Sequence, residues 1–381
     1  MHGSAQIFSP SVWIKCQEWK REMMIRGGIM ENCKMSPGEG RVCENGCAAA
    51  AGVKLYQLVP ENMSLMEAYV FKTANGKLIV IDGGIDGPGR DRIPYLPAAL
   101  RAIAGVGEGE YFEVEAWFLS HAHKDHFHEL SKMLNSYREG SSFRVNHFYF
   151  DFPPFGTPEY PALGEDFDYL ETLKKGFSRY AEVNGLAVEC GSVYDAINGA
   201  VVNREAIERG LELTIDGIRI EVLQTWDASD ADFINCNSLV LRAWVGNQSV
   251  LFLNDLGAPA GERLLRRYGA DLKSDLVQMA HHGQNGVQRD VYDAIDSQIR
   301  LWTTPLWVWN NTKDYAIGDT RRWVNGGEDF TTADRRNIVS CLYGAYPSDP
   351  TKVADWVDVL SGMCINLPCP ASLKSNEKEF E

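Results

Sequence analysis

Seven consecutive residues, Ser120-His121-Ala122-His123-Lys124-Asp125-His126, constrain this chain more than any other stretch. Three of its eight histidines and one carboxylate fall within the six positions from His121 to His126. The preceding run, Glu113–Leu119, reads as a buried strand, and the following run, His128–Leu134, as the start of a helix. The cluster therefore belongs on a strand-to-helix turn at the carboxyl end of a strand, where open α/β sheets place their ligands. His121 and His123 are two residues apart, so an extended backbone points both the same way. Asp125 and His126 follow on the turn and aim at a second point nearby. Neutral imidazole and carboxylate are the usual ligands of a hydrolytic metal. A run of surface polar residues ahead of a helix is the competing reading, and the crowding of histidines into this one turn weighs against it.

The rest of the chain supplies alternating strand and helix signals. Val53–Val59 alternates like a strand. Glu67–Lys72 and Lys77–Ile81 flank Ala74-Asn75-Gly76, a strong hairpin signal. Arg92–Ile103 has helical spacing, Phe143–Phe150 is a strand, Pro153–Asp166 a loop and Asp168–Val183 an amphipathic helix. Glu212–Val222 turns at Asp216-Gly217, and Asn237–Ala243 with Ser249–Leu253 turns at Gly246-Asn247. Gly261–Tyr268 and Val287–Ile295 read as helices, Ser274–Ala280 and Ile299–Trp309 as strands. Two halves of this kind, each with hairpins, parallel-type strands and covering helices, fit an α/β chain folded as a four-layer αββα sandwich. Residues 1–52 read as a poorly structured extension with a short helix over Ser11–Met24, residues 53–370 as one elaborated catalytic domain, and residues 371–381 as a charged tail.

Composition narrows the partners. Thirty-seven basic against 52 acidic residues give a net charge of −15, which disfavours tight nonspecific binding of long nucleic acid. A small phosphorylated substrate stays possible, because bound cations invert the local field. Nine cysteines scattered along the chain read as reduced thiols; Cys33, Cys43 and Cys47 form the only local group, one ligand short of a zinc knuckle. No run of about 18 apolar residues is present, so no membrane span is expected, and the cytoplasm is the expected compartment.

His121-x-His123-x-Asp125-His126 resembles the HxHxDH signature of the metallo-β-lactamase superfamily. Further landmarks follow the family's order: Leu78–Gly84 as the early strand ending in Asp-Gly, Val250–Gly257 as the strand delivering an Asp, and Leu276–Gly283 as the strand delivering a last His. Asn237-Ser238-Leu239 and His281-His282-Gly283 are similar to the ComEC-type hydrolase-like domain. The resemblance covers roughly residues 53–310. It implies the metallo-β-lactamase fold and a dinuclear site, with two zinc ions or with manganese or iron in their place. His121 and His123 would bind the first metal, and Asp125 and His126 the second. Asp255 would bridge, and His281 or His282 would complete the second site. On a strand those two histidines face opposite sides, so one of them is expected to bind, with His281 the preferred choice. It also implies that Asp82 orients a histidine from behind. The family's third histidine on the first metal belongs to a loop that here reads Gln224–Asn237 and contains none. Asp227, Asp230 or Asp232 could supply an oxygen there, which would soften a preference for zinc.

Two such cations lower the pKa of a water and polarise the attacked group, with Asp125 and Asp255 placed to orient or accept its proton. The expected activity is metal-dependent hydrolysis, of a phosphodiester on a small or exposed substrate. Hydrolysis of a lactone, thioester or amide is the alternative within the same chemistry. A sensing module with an incomplete metal site is the alternative outside it.

Overall fold

A computed structural model describes residues 52–58, 65–85, 95–153, 166–185, 204–205, 207–227, 234–311, 313, 316–330, 336–342, 357–358 and 362–367. All of them belong to one compact unit, Asn45–Glu381. The expectations for Ser11–Met24, for the Cys33, Cys43 and Cys47 group, for most of the Pro153–Asp166 loop and for the 371–381 tail lie outside the described residues.

The strands, in chain order, are β1 Val53–Gln57, β2 Tyr69–Lys72, β3 Leu78–Ile81, β4 Phe112–Phe118, β5 Phe143–Tyr149, β6 Arg204–Glu205, β7 Glu212–Ile215 and β8 Ile218–Gln224. They continue as β9 Val240–Val245, β10 Gln248–Phe252, β11 Leu276–Gln278, β12 Ile299–Trp302, β13 Asn337–Val339, β14 Val357–Asp358 and β15 Gly362–Leu367. The helices are α1 Tyr95–Ala104, α2 Lys124–Asn135, α3 Asp166–Val183, α4 Ala258–Tyr268, α5 Arg289–Ile295, α6 Leu306–Trp309 and α7 Ile317–Val324.

Two mixed sheets result. The first runs β14-β15-β1-β2-β3-β4-β5-β6 and the second β13-β12-β11-β10-β9-β8-β7. In each, hairpin partners pair antiparallel and the strands that carry the site pair parallel: β3 with β4 and β4 with β5, β10 with β11 and β11 with β12. Alternation along the strands makes the layers. From β3, Leu78 and Val80 pack with α1, α2 and α3, while Ile79 and Ile81 face the second sheet. From β10, Val250 and Phe252 face the first sheet, while Leu251 packs with α4 and α5. Helices, sheet, sheet, helices is the four-layer αββα sandwich that the sequence implies. Gln57 ties the layers together, its Nε2 donating to the Trp302 carbonyl at 2.9 Å.

Two expected strands are shorter than their apolar runs. Ile299–Trp309 divides into β12 and α6, because Pro305 cannot donate in a ladder and its φ of −73° suits the residue ahead of a helix. Trp302 and Trp309 are nonetheless core residues, edge to face at 5.6 Å. Ser274–Ala280 keeps only Leu276–Gln278 as β11, since the chain then enters a tight turn over Ala280–Gly283. None of the described helices is long and apolar enough to cross a membrane.

The join between β3 and α2 is close. A Cβ on Gly83 would lie 2.9 Å from Leu130 Cβ and 3.5 Å from the His126 carbonyl oxygen. Gly83→Ala is expected to push α2 off the sheet and to cost about 1–3 kcal/mol, as overpacking does. A urea melt of the variant checks this by a lowered midpoint.

Candidate metal centre

The site lies where strands of both sheets end. Its hub is Asp255, 1% exposed, on the turn after β10. Four imidazoles surround a single oxygen of it. The Nε2 atoms of His126, His282, His121 and His281 stand 3.3, 3.6, 3.9 and 3.9 Å from Asp255 Oδ2. His282 Nε2 is also 3.2 Å from Asp125 Oδ2, and His121 Nε2 is 3.0 Å from His123 Nδ1. Two ligand groups follow, Asp125-His126-Asp255-His282 and His121-His123-Asp255, each with its ligand atoms within 4.8 Å of one another. Asp255 belongs to both.

Local backbone explains these positions. His123 is still extended, with φ −90° and ψ 143°, at the residue that opens α2, so Asp125 and His126 occupy the first turn of that helix. The Ser120 carbonyl accepts from Leu239 N at 2.9 Å, which fastens the end of β4 to the approach of β9. Asn254 N meets Gln278 Oε1 at 2.5 Å, and Asn254 O accepts from His281 N at 2.9 Å. Those bonds lock the Asp255 turn to the histidine turn. Gly283 has φ +81°, and a Cβ there would lie 2.6 Å from the Trp302 indole, which accounts for the glycine after the two histidines.

Behind the ligands stands a second layer. Asp82 Oδ2 lies 2.7 Å from His126 Nδ1, and Ser120 donates to the same carboxylate through N and Oγ, each at 2.7 Å. This fixes the His126 ring and turns its Nε2 toward Asp255. His282 is held similarly, Nδ1 donating to the Thr303 carbonyl at 2.8 Å with Glu67 Oε2 3.4 Å away. Thr303 Oγ1 donates to Glu67 as well. Glu67 and Thr303 were not singled out from sequence. Glu67 sits among apolar residues just before β2, and only the fold carries it to a histidine 215 residues away in number.

Electrostatics and unmet polar atoms test whether cations suit this place. Burial would raise Asp255, but His126, His282 and His281 outweigh it and hold it well below the ordinary carboxylate range. Burial would lower His282, but Asp255, Asp125 and Glu67 outweigh it and raise it to about 9. His121 is held well below the usual imidazole range by burial and by His126 and His123. Burial pushes Glu67 up to about 8. Buried carboxylates in such number are costly unless compensated by positive charge. His126 Nε2 and Asp255 Oδ1 are buried with no hydrogen-bond partner, and both belong to the proposed ligand set. Convergent imidazole and carboxylate atoms with unmet capacity fit divalent cations.

The placement differs from the sequence expectation in one respect. His282, rather than the preferred His281, joins Asp125, His126 and Asp255. The reason is that neither histidine is on a strand: both have left-handed backbone, φ 53° and 56°. Asp227 is in neither ligand group, and Asp230 and Asp232 lie outside the described residues. His128, near the motif, packs edge-on to Tyr169 at 4.8 Å and is in neither group.

No known family model and no curated protein matches the chain by sequence. Solved structures it resembles include the diiron β-hydroxylase CmlA from Streptomyces venezuelae, with 12% identity, a TM-score of 0.38, and coverage of 66% of this chain and 44% of that one. Another is the metallo-beta-lactamase fold protein YhfI from Bacillus subtilis, at 12% identity and TM-score 0.37, over 66% of this chain and 86% of that one. A third is Zn(2+)-bound PqqB from Methylobacterium extorquens, at 13% identity and TM-score 0.27, over 56% of each chain. The matched region spans less than half the length of the hydroxylase. At such TM-scores these likenesses carry no argument, and the architecture rests on the sheets and helices themselves.

Asp82→Asn removes the charge behind His126 while keeping its shape. It is expected to weaken divalent-metal affinity by about 10–100-fold, the usual effect of losing such a partner. Competition with a chelating dye reads the change.

Proposed function

We propose that the chain is a metal-dependent hydrolase acting through a water activated by paired divalent cations, zinc first, with manganese or iron as alternatives. The observation that carries this is Asp255 Oδ2 with four imidazole nitrogens 3.3–3.9 Å away, shared between two ligand groups. His121, His123 and Asp255 would hold one cation, and Asp125, His126, His282 and Asp255 the other. Bound there, such a pair supplies a Lewis acid and a water acidic enough to attack near neutral pH.

The chain's own residues do the rest. Asp125 and Asp255 would orient that water or accept its proton. Asp82, Ser120, Thr303 and Glu67 keep the rings from turning as charge develops. His121, His126 and His282 are sealed from solvent, whereas His123 and His281 are partly exposed, so substrate approaches over the latter two. Lys124 lies between His123 and Asp125 in the chain, with its ammonium 5.1 Å over the Tyr169 ring.

A small or exposed phosphodiester is the proposed substrate class, supported by the likeness of Asn237-Ser238 and His281-His282-Gly283 to ComEC-type sequences. The cytoplasm, with no membrane attachment, is the proposed setting. The histidine-free Gln224–Asn237 segment favours a second reading, a sensing module that holds too little metal for turnover.

Parallel assays with bis-p-nitrophenyl phosphate and with lactones, plus added zinc or manganese, separate these readings. Phosphodiester turnover is expected, abolished by a chelator and restored by metal. Asp125→Asn and Asp255→Asn are expected to lower kcat by about 100-fold or more, the scale of general acid–base loss. Lactone turnover alone would overturn the substrate class, and no turnover with under one metal per chain would favour the sensing module.

A further inference from the structure

The Ala280–Gly283 turn carries two histidines that a strand would send to opposite faces. Two successive non-glycine residues in the left-handed region, φ 53° and 56°, bring both rings to one cavity instead. Each such residue costs about 1–2 kcal/mol, and strain of this kind gathers at functional sites. The turn is held by His281 N on the Asn254 carbonyl and by Gln284 N on the His281 carbonyl, at 2.9 and 2.8 Å.

His282 is accounted for by Asp125, His126 and Asp255. His281 is not, yet its Nε2 stands as far from Asp255 Oδ2 as that of His121, 3.9 Å in both cases. Meanwhile the His121-His123-Asp255 group has two imidazoles where the other group has two imidazoles and an additional carboxylate. Ligand atoms about 2.1 Å from a tetrahedral ion lie roughly 3.4 Å apart. His281 is near that spacing from Asp255 but stands outside the 4.8 Å grouping of His121, His123 and Asp255, so binding there needs an inward movement of the ring toward the other two imidazoles. The His281 side chain is 25% exposed, against 1% for His282, and has room to make it. Asn235 Nδ2 lies 3.3 Å from His281 Nε2, and Asn235 Oδ1 is buried with no partner. Ligation through Nε2 would replace that Asn235 contact and free the carboxamide.

We propose that the two histidines divide between the cations: His282 serves the Asp125-His126 site, and His281 supplies the missing third imidazole of the His121-His123 site. This rests on the two-cation reading above. It replaces the acidic residues of the 224–237 segment with a ligand from the turn that follows β11. It also gives the first site three nitrogens, which restores a preference for zinc there.

The test is metal content per chain after dialysis of zinc-loaded protein. His281→Gly removes the ligand and keeps a residue at ease with positive φ. It is expected to retain about one zinc where the wild type retains about two, as does His123→Ala. Groups sharing one site do not add, so His123→Ala with His281→Gly should also retain about one, whereas His281→Gly with His282→Ala should retain none. Thermal melts in chelator verify that each variant folds without metal. Two zinc ions retained by folded His281→Gly, or both lost from it, would overturn the division while leaving the two-cation reading in place. A folded wild type that retains no divalent metal would overturn both.

Discussion

A carboxylate shut away from water beside four imidazoles is the condition on which this structure depends. Asp255 is almost fully buried, one of its oxygens has no hydrogen-bond partner, and the other is ringed by nitrogen. Charge inside a protein is expensive unless it is neutralised at close range. Protonated histidines can do this in part, and His126 is indeed held well above its ordinary range by Asp255 and Asp82, against the pull of burial. Divalent cations do it more completely and use the atoms that hydrogen bonds leave unmet.

The sandwich is arranged to make that convergence possible. β4 hands over His121 through His126 at its carboxyl end, β10 hands over Asp255, and β11 leads to the histidine turn. The two sheets are joined nearby by Leu239 N on the Ser120 carbonyl and by Gln57 on the Trp302 carbonyl. Asp82 leaves β3 with positive φ, 61°, and so reaches back beneath His126 instead of continuing the sheet. Each ligand is thus set by the way a strand ends.

Much of this was written in local sequence. Alternation placed most of the strands, Asn75-Gly76 and Asp216-Gly217 marked their hairpins, and six residues of one turn marked the site. What escaped was non-local. The backbone at His281 and His282 turns left-handed, with a bond to Asn254 and with Trp302 close to Gly283, so strand alternation did not foresee that both rings reach one cavity, with His282 the one beside Asp125. Glu67 and Thr303 belong to no motif and gain their place only when β2 and β12 lie against the same histidine. The division of Ile299–Trp309 followed from Pro305, whose effect on a strand is legible in principle. β14 and β15, which pair beside β1 from the far end of the chain, left no comparable local mark.

Asp125 and His282 meet across 157 residues of chain. Contacts so distant in sequence form only after the loop between them has closed, at an entropic cost that local structure does not repay. During synthesis the motif turn emerges well before Asp255 and His282, so for that interval its imidazoles have no bridging carboxylate to share. The complete set of converging groups is therefore a property of the finished fold rather than of the motif turn alone.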